Sequence, residues 1–212
     1  MKRGVVVVTG GTVRLGKSIA DRLAADGWKV LRSSHRPDAG ADIVADLAEP
    51  LGPAKLYSAA LALNGGLPPD ALVNNAALFD GDGATLTAVN AVAPEKLTML
   101  MAGRETGRGA VVNILDSRVT GGGAAVGDYA RTKARLRDYT RRSAAMFAET
   151  LTVNAVAPGP VLASATVHER AGECPLGRPG PEAVAAAVAF LLEADFTTGL
   201  IIPVDGGQSI LL

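Results

Sequence analysis

Short runs of β-branched residues recur along the chain, and longer alanine-rich stretches with apolar residues at helical spacing separate them. The runs predict strands at 4–8, 28–33, 42–44, 70–73, 109–115, 151–156 and 199–203. The stretches between them predict helices near 14–26, 53–63, 86–102, 128–149 and 181–193. The last opens on Pro181 and continues in strong helix formers. Strands that alternate with helices in this way pair in parallel and are covered on both faces. The expected fold is α/β: a single doubly wound domain over 1–212, with a seven-stranded parallel sheet flanked by helices. Between Pro158 and Gly180 lie four prolines, four glycines and no strand, which reads as a short binding loop or lid around 160–180.

Composition narrows the function classes. With 212 residues and 48% hydrophobic content, the chain can bury roughly 70% of its unfolded surface in one core. Twenty-one basic residues balance twenty-one acidic ones, which argues against a basic face for nucleic acid. Cys174 is the one cysteine, so no internal disulfide framework exists and a reducing compartment is expected. The apolar run Val5–Val8 is too short for a signal peptide, and no stretch approaches the roughly 20 apolar residues of a membrane span. A soluble, cytoplasmic protein is expected. His168 and Cys174 have no partners at ligand spacing, so no metal site is expected and both read as lid surface.

The first strand runs directly into Thr9-Gly10-Gly11-Thr12-Val13-Arg14-Leu15-Gly16, and a helix follows. Glycines at such a junction let the backbone turn sharply and approach a pyrophosphate, whose charge then rests on the helix N-terminus. A glycine-rich turn without a ligand is the plain alternative. The second strand closes on Ser34-His35-Arg36, with no acid between Lys29 and Pro37. An acid there would bind a ribose 2′-hydroxyl; hydroxyl, imidazole and guanidinium groups suit a 2′-phosphate. NADPH is therefore expected over NADH, unless Arg36 is an ordinary solvated loop charge.

Tyr129 and Lys133 are four residues apart, hence on one helix face. A neighbouring ammonium favours the ionised phenol, so the pair predicts a lowered phenol pKa and proton transfer near neutral pH. The spacing alone is common and fits a surface tyrosine and lysine equally well.

In order along the chain stand Thr9-Gly10 and Gly16, Asn74-Asn75-Ala76-Ala77, Asn90, Tyr129 with Lys133, Pro158-Gly159, and the closing Ile202-Pro203-Val204-Asp205-Gly206-Gly207. From about residue 3 to 209 the chain resembles the short-chain dehydrogenase/reductase family. That resemblance implies a Rossmann-type domain, an oxidoreductase and a homo-oligomer, most commonly a tetramer. It implies Tyr129 as proton donor, Lys133 as ribose ligand and tuner of the phenol, and Asn90 as holder of a water in the proton relay. Thr9, Gly10, Gly11, Arg14, Leu15 and Gly16 would line the cofactor. So would Asp46 and Leu47 at the adenine, Asn75 to Ala77, and Pro158, Gly159 and Val161.

Two departures from the usual family pattern occur together. Arg14 stands where the middle glycine is usual, and Asp116, thirteen residues before Tyr129, stands where a serine is usual. Both match the family's pteridine reductase branch, as does His35-Arg36. Phe79 matches the aromatic that stacks a pterin, although ordinary core packing would also account for it. The resemblance thus implies Arg14, Phe79, Asp116 and Tyr129 around a dihydropteridine or dihydrofolate-type substrate. An ionised carboxylate is acceptor-only and would repel a developing alkoxide, so Asp116 suits a C=N that is protonated on nitrogen. Ser117 is the competing candidate and would serve ketone or 3-oxoacyl reduction; a catalytically idle nucleotide sensor is a third alternative. Asp116 and Ser117 should point to opposite sides, and the spacing to Tyr129 favours Asp116.

Overall fold

The computed structural model describes residues 4–37, 40–105, 107–121, 127–161 and 174–211. Seven strands form one sheet: β1 (Val5–Val8), β2 (Lys29–Ser34), β3 (Ile43–Val44), β4 (Ala71–Asn74), β5 (Gly109–Ile114), β6 (Leu151–Pro158) and β7 (Ile201–Val204). Their order is β3-β2-β1-β4-β5-β6-β7, and every pairing is parallel. Helices α1 (Arg14–Ala25), α2 (Gly52–Leu63), α3 (Gly83–Thr87), α4 (Ala93–Ala102), α5 (Asp128–Met146) and α6 (Pro181–Glu193) supply the crossovers. The expected doubly wound fold is present.

Both faces of the sheet are dry, and the side-chain alternation along β1 shows why its sequence does not alternate. Val5 and Val7 join a core with Leu56 of α2 and Leu97 and Met101 of α4. Val6 and Val8 join the opposite core with Ile19 and Leu23 of α1 and Val184, Val188 and Leu191 of α6. All four valines are buried, and each such side chain contributes on the order of 1.5–3 kcal/mol. At the β1–β4 neighbour pair the chain order reverses direction across the sheet, and a crevice opens beyond the strands' carboxyl ends at such a point.

Two predicted helices differ from expectation. The predicted helix over 86–102 is divided: α3 begins at Gly83, a π-turn spans Ala88–Val92, and α4 follows. Asp82 explains the earlier start, since its carboxylate caps α3 by accepting from the Ala84 and Thr85 N–H groups. Helix α5 ends at Met146, not at 149, and its exposed positions carry Arg131, Arg135, Arg141 and Arg142. The lid segment falls largely outside the described residues, and His168 with it. Among the described residues no helix is long and apolar enough to cross a membrane.

Candidate active site

The first turn is built by mutual support between β1 and β4. The Thr9 hydroxyl accepts from the Asn75 and Ala76 N–H groups at 2.9 Å each and donates to the Val73 carbonyl at 3.3 Å. The Asn75 amide donates back to the carbonyls of Thr9 and Gly10 at 2.9 and 3.2 Å. Gly11 N–H reaches the Ser33 carbonyl at 3.1 Å, which brings the end of β2 beside the turn. The sequence signatures Thr9–Gly16, Ser33–Arg36 and Asn75–Ala76 therefore meet at one place.

Close approach demands glycine here. Gly10 has φ of 61°, and a Cβ on Gly16 would come within 2.0 Å of the Gly10 carbonyl oxygen. Arg14 has φ of 49°, the one described non-glycine residue with left-handed backbone, and such strain concentrates at ligand sites. Val13 at the start of α1 offers no side-chain cap, and no acid stands in the first turn. A helix N-terminus left open in this way suits a pyrophosphate, so the residues fit a dinucleotide. Leu15 packs on the α1–α6 core and, with Arg14, opens the helix. Ser34 accepts from Arg36 N–H at 3.0 Å, and the exposed Arg36 Nε lies 3.3 Å from His35 Nε2. Asp46 is exposed and accepts from Ala48 N–H, while Leu47 is buried. Pro158 ends β6; Gly159 donates to Val204, accepts from Val161 N–H, and its missing Cβ would lie 2.7 Å from Asp205 Cα.

A second group gathers where β5 and α5 converge. The rings of Phe79 and Tyr129 lie 4.8 Å apart at 47°. Phe79 is 48% exposed, so it is not core: its outer face is open. Lys133 is buried and donates to the Ile114 carbonyl at 2.8 Å, with its Nζ 5.8 Å from the Tyr129 ring centre. Asp116 caps the short turn Ser117–Val119 by accepting from Arg118 N–H, and it interacts with the phenol. Ser117 points elsewhere, buried and donating to Gln208 Oε1 at 2.7 Å. The two neighbours diverge as expected, and Asp116 is the one beside Tyr129.

The electrostatics correct one expectation. Burial pushes the Tyr129 phenol well above its ordinary value, and the Asp116 carboxylate adds to the rise; the nearby Arg118 opposes it. The lowering expected from Lys133 does not prevail, because the phenol's own burial and the Asp116 charge dominate; Lys133 is itself pulled down to about 8 by burial, with Asp116 acting in the other direction. Tyr129 is therefore held as a protonated phenol.

Asn90 sits in the π-turn with its side chain fully committed. Its Oδ1 accepts from Leu78 N–H at 2.8 Å, and its Nδ2 donates to the Leu78 carbonyl and to Thr132 Oγ1 at 2.8 and 3.2 Å. In this structure the amide fixes the loop that carries Phe79 to helix α5. A π-turn widens the helix at this point, a feature that recurs at functional sites.

Arg118 is the site residue that sequence reasoning missed. Its guanidinium forks onto Asp116 and lies over both rings. The signal was an arginine two residues past the candidate acid, too weak a pattern to stand out before the turn's geometry was known. Cys174 is half-buried beside Gly206, and no metal-binding cluster of His, Cys, Asp or Glu occurs among the described residues.

Comparison with known proteins agrees with this geometry. Residues 68–209 match the family described as enoyl-(acyl carrier protein) reductase. The 3-oxoacyl-[acyl-carrier-protein] reductase FabG of Vibrio cholerae is 30% identical, over 96% of each chain. A protein named as a ketoacyl reductase of the granaticin polyketide synthase of Streptomyces violaceoruber is 32% identical over 98% of this chain and 96% of its own. FolM alternative dihydrofolate reductase 1 from Brucella canis, solved with NADP, superposes with a TM-score of 0.85 at 31% identity, over 97% of this chain and 94% of that one. The corresponding Brucella suis protein, also with NADP, gives the same TM-score and identity. The chain belongs to the short-chain dehydrogenase/reductase family, on its pteridine reductase-like side.

Proposed function

We infer that the protein is an NADPH-dependent oxidoreductase that reduces a dihydropteridine or dihydrofolate-type ring. The carrying observation is Asp116 beside Tyr129, with Ser117 turned away to Gln208. A carboxylate offers no proton to a ketone oxygen and opposes negative charge on it, whereas a ring C=N asks for a proton on nitrogen. NADPH held by the first turn and by Ser34, His35 and Arg36 would supply the hydride for the ring carbon. Tyr129 gives its phenolic proton to the ring nitrogen, and its raised pKa keeps that proton in place until charge develops there. Lys133 would hold the nicotinamide ribose, and Asp116 would relay a replacement proton from solvent water to the phenolate. Phe79 presents an open aromatic face on which a flat ring can stack. Arg14 would reach the same substrate from the first turn.

Cofactor choice rests on Ser34, His35 and Arg36 at the end of β2, which suit the 2′-phosphate. The NADP complexes of the two FolM proteins support the same reading. The names of the two ketoacyl reductase relatives favour a second reading, reduction of a 3-oxoacyl or simple ketone with Tyr129 as donor. A nucleotide sensor without turnover is disfavoured, since it would have no use for a buried phenol and ammonium. We further propose a homo-oligomer, a tetramer, joined through exposed apolar positions that include Phe190, Phe196, Ile210 and Leu211.

The deciding experiment is NADPH oxidation against dihydrobiopterin, dihydrofolate and a panel of ketones, in wild type and Asp116→Ser. A pteridine enzyme should lose about 10²–10⁴-fold with Asp116→Ser. A ketone enzyme should be unaffected or improved, because serine restores a hydroxyl donor. Wild-type rates on dihydropteridines after that change would end the pteridine reading.

A further inference from the structure

The Arg118 guanidinium stands where the proposed substrate ring belongs. Its Nε and Nη2 donate to the two oxygens of Asp116 at 2.9 and 2.8 Å. Its carbon lies 5.5 Å from the Tyr129 ring centre and 5.9 Å from that of Phe79. Carboxylate, phenol and phenyl are three of the four groups assigned to the substrate, so ring and guanidinium compete for one position.

On the Asp116 side, the bond pattern lets the guanidinium leave without releasing the carboxylate. Asp116 Oδ1 also accepts from the Arg118 backbone N–H at 3.0 Å, so the carboxylate stays oriented when the guanidinium swings out. The ion pair faces water, with the Arg118 side chain 48% exposed, and pairs of this kind exchange at small cost. What replaces the guanidinium is constrained chemically. Asp116, half-buried beside the phenol with its side chain 16% exposed, favours N–H donors in the guanidinium's place, because Oδ2 otherwise loses the charge-assisted bond it accepts. A guanidinium is flat and delocalised and presents parallel N–H donors. An aminopteridine has the same character: a conjugated plane edged with N–H groups.

We propose that Arg118 is a displaceable placeholder that selects the substrate class. A flat heterocycle with N–H donors takes over its contacts to Asp116, Phe79 and Tyr129; a simple ketone brings no donor and leaves it in place. This specificity role rests on the pteridine reading of the site.

Site-resolved arginine labelling tests it in the full chain. Wild-type protein with NADP⁺ is treated with phenylglyoxal, with and without 2-amino-4-hydroxypteridine, and adducts at Arg118 are counted by mass spectrometry. The pteridine should speed labelling of Arg118 at least about threefold; protection or an unchanged rate overturns the proposal. In parallel, Arg118→Met should tighten pteridine binding about two- to fivefold, the range of a partly exposed ion pair, and should leave NADP⁺ affinity alone. Weaker or equal pteridine binding in that variant also overturns it. If wild type reduces dihydropteridines while either arm fails, the placeholder falls and the pteridine reading stands. If the pteridine does not bind wild type at all, both fall.

Discussion

Tyr129 and Lys133 act on each other less than each is acted on by burial. The phenol is pushed up first by desolvation and then by Asp116, and the ammonium is pulled down to about 8 by desolvation. Tyr129→Phe removes the donor and keeps the ring against Phe79. Turnover should fall about 10²–10⁴-fold while NADPH affinity stays within a few-fold, as single-turnover kinetics and calorimetry would report. For Lys133 the folded pKa lies below the unfolded value of 10.5, so its contribution to stability is full above 10.5 and is lost as pH falls through about 8. Compared with Lys133→Met, wild type should therefore gain stability between pH 7.5 and 10, with a ceiling of about 3 kcal/mol. Urea denaturation of both proteins at the two pH values measures it, and a pH-independent difference would contradict it. The four-residue spacing was legible in the sequence; the direction of the phenol's shift was not. Burial of Tyr129 depends on Phe79 and Asp116, which are distant along the chain, and no local pattern reports it.

Among the elements, the turn between β1 and α1 is the least tolerant. Gly16→Ala would drive a methyl group into the Gly10 carbonyl and the Asn75 amide, neither of which can yield without opening the β1–β4 junction. We expect at least tenfold weaker NADPH binding and a stability loss of about 1–3 kcal/mol, read by fluorescence titration and denaturant midpoints. At the end of β2, Arg36→Ala should cost most of an NADPH preference over NADH that we expect to be tenfold or more, since each charge-assisted contact is worth about 1.5–3 kcal/mol. Equal titration curves for the two cofactors in wild type would defeat that claim. The strands and α1, α2 and α6 were readable almost to their ends, because apolar runs bounded by glycine and proline mark them. The π-turn was invisible: Ala88–Val92 continues the apolar pattern of a plain helix, and the Asn90 bonds to Leu78 and Thr132 that accompany the widening join residues far apart in the chain.

The whole molecule exposes large apolar side chains on α6, in the loop after it and in the C-terminal segment: Phe190 is 57% exposed and Phe196 fully so. Association that buries above about 2,000 Å² in total would cover them. Light scattering should report a tetramer at micromolar concentration, and a monomer would refute the proposal. The order of the strands also has a consequence in time. Everything that shapes the dinucleotide turn, from Thr9 through Arg36 to the Asn75 lock, has been translated by residue 76. Phe79, Asn90, Asp116, Tyr129 and Lys133 all emerge later, and β5 to β7 later than β4. On the ribosome the chain acquires its phosphate-binding turn before the ribose-holding Lys133 or any group of the reaction.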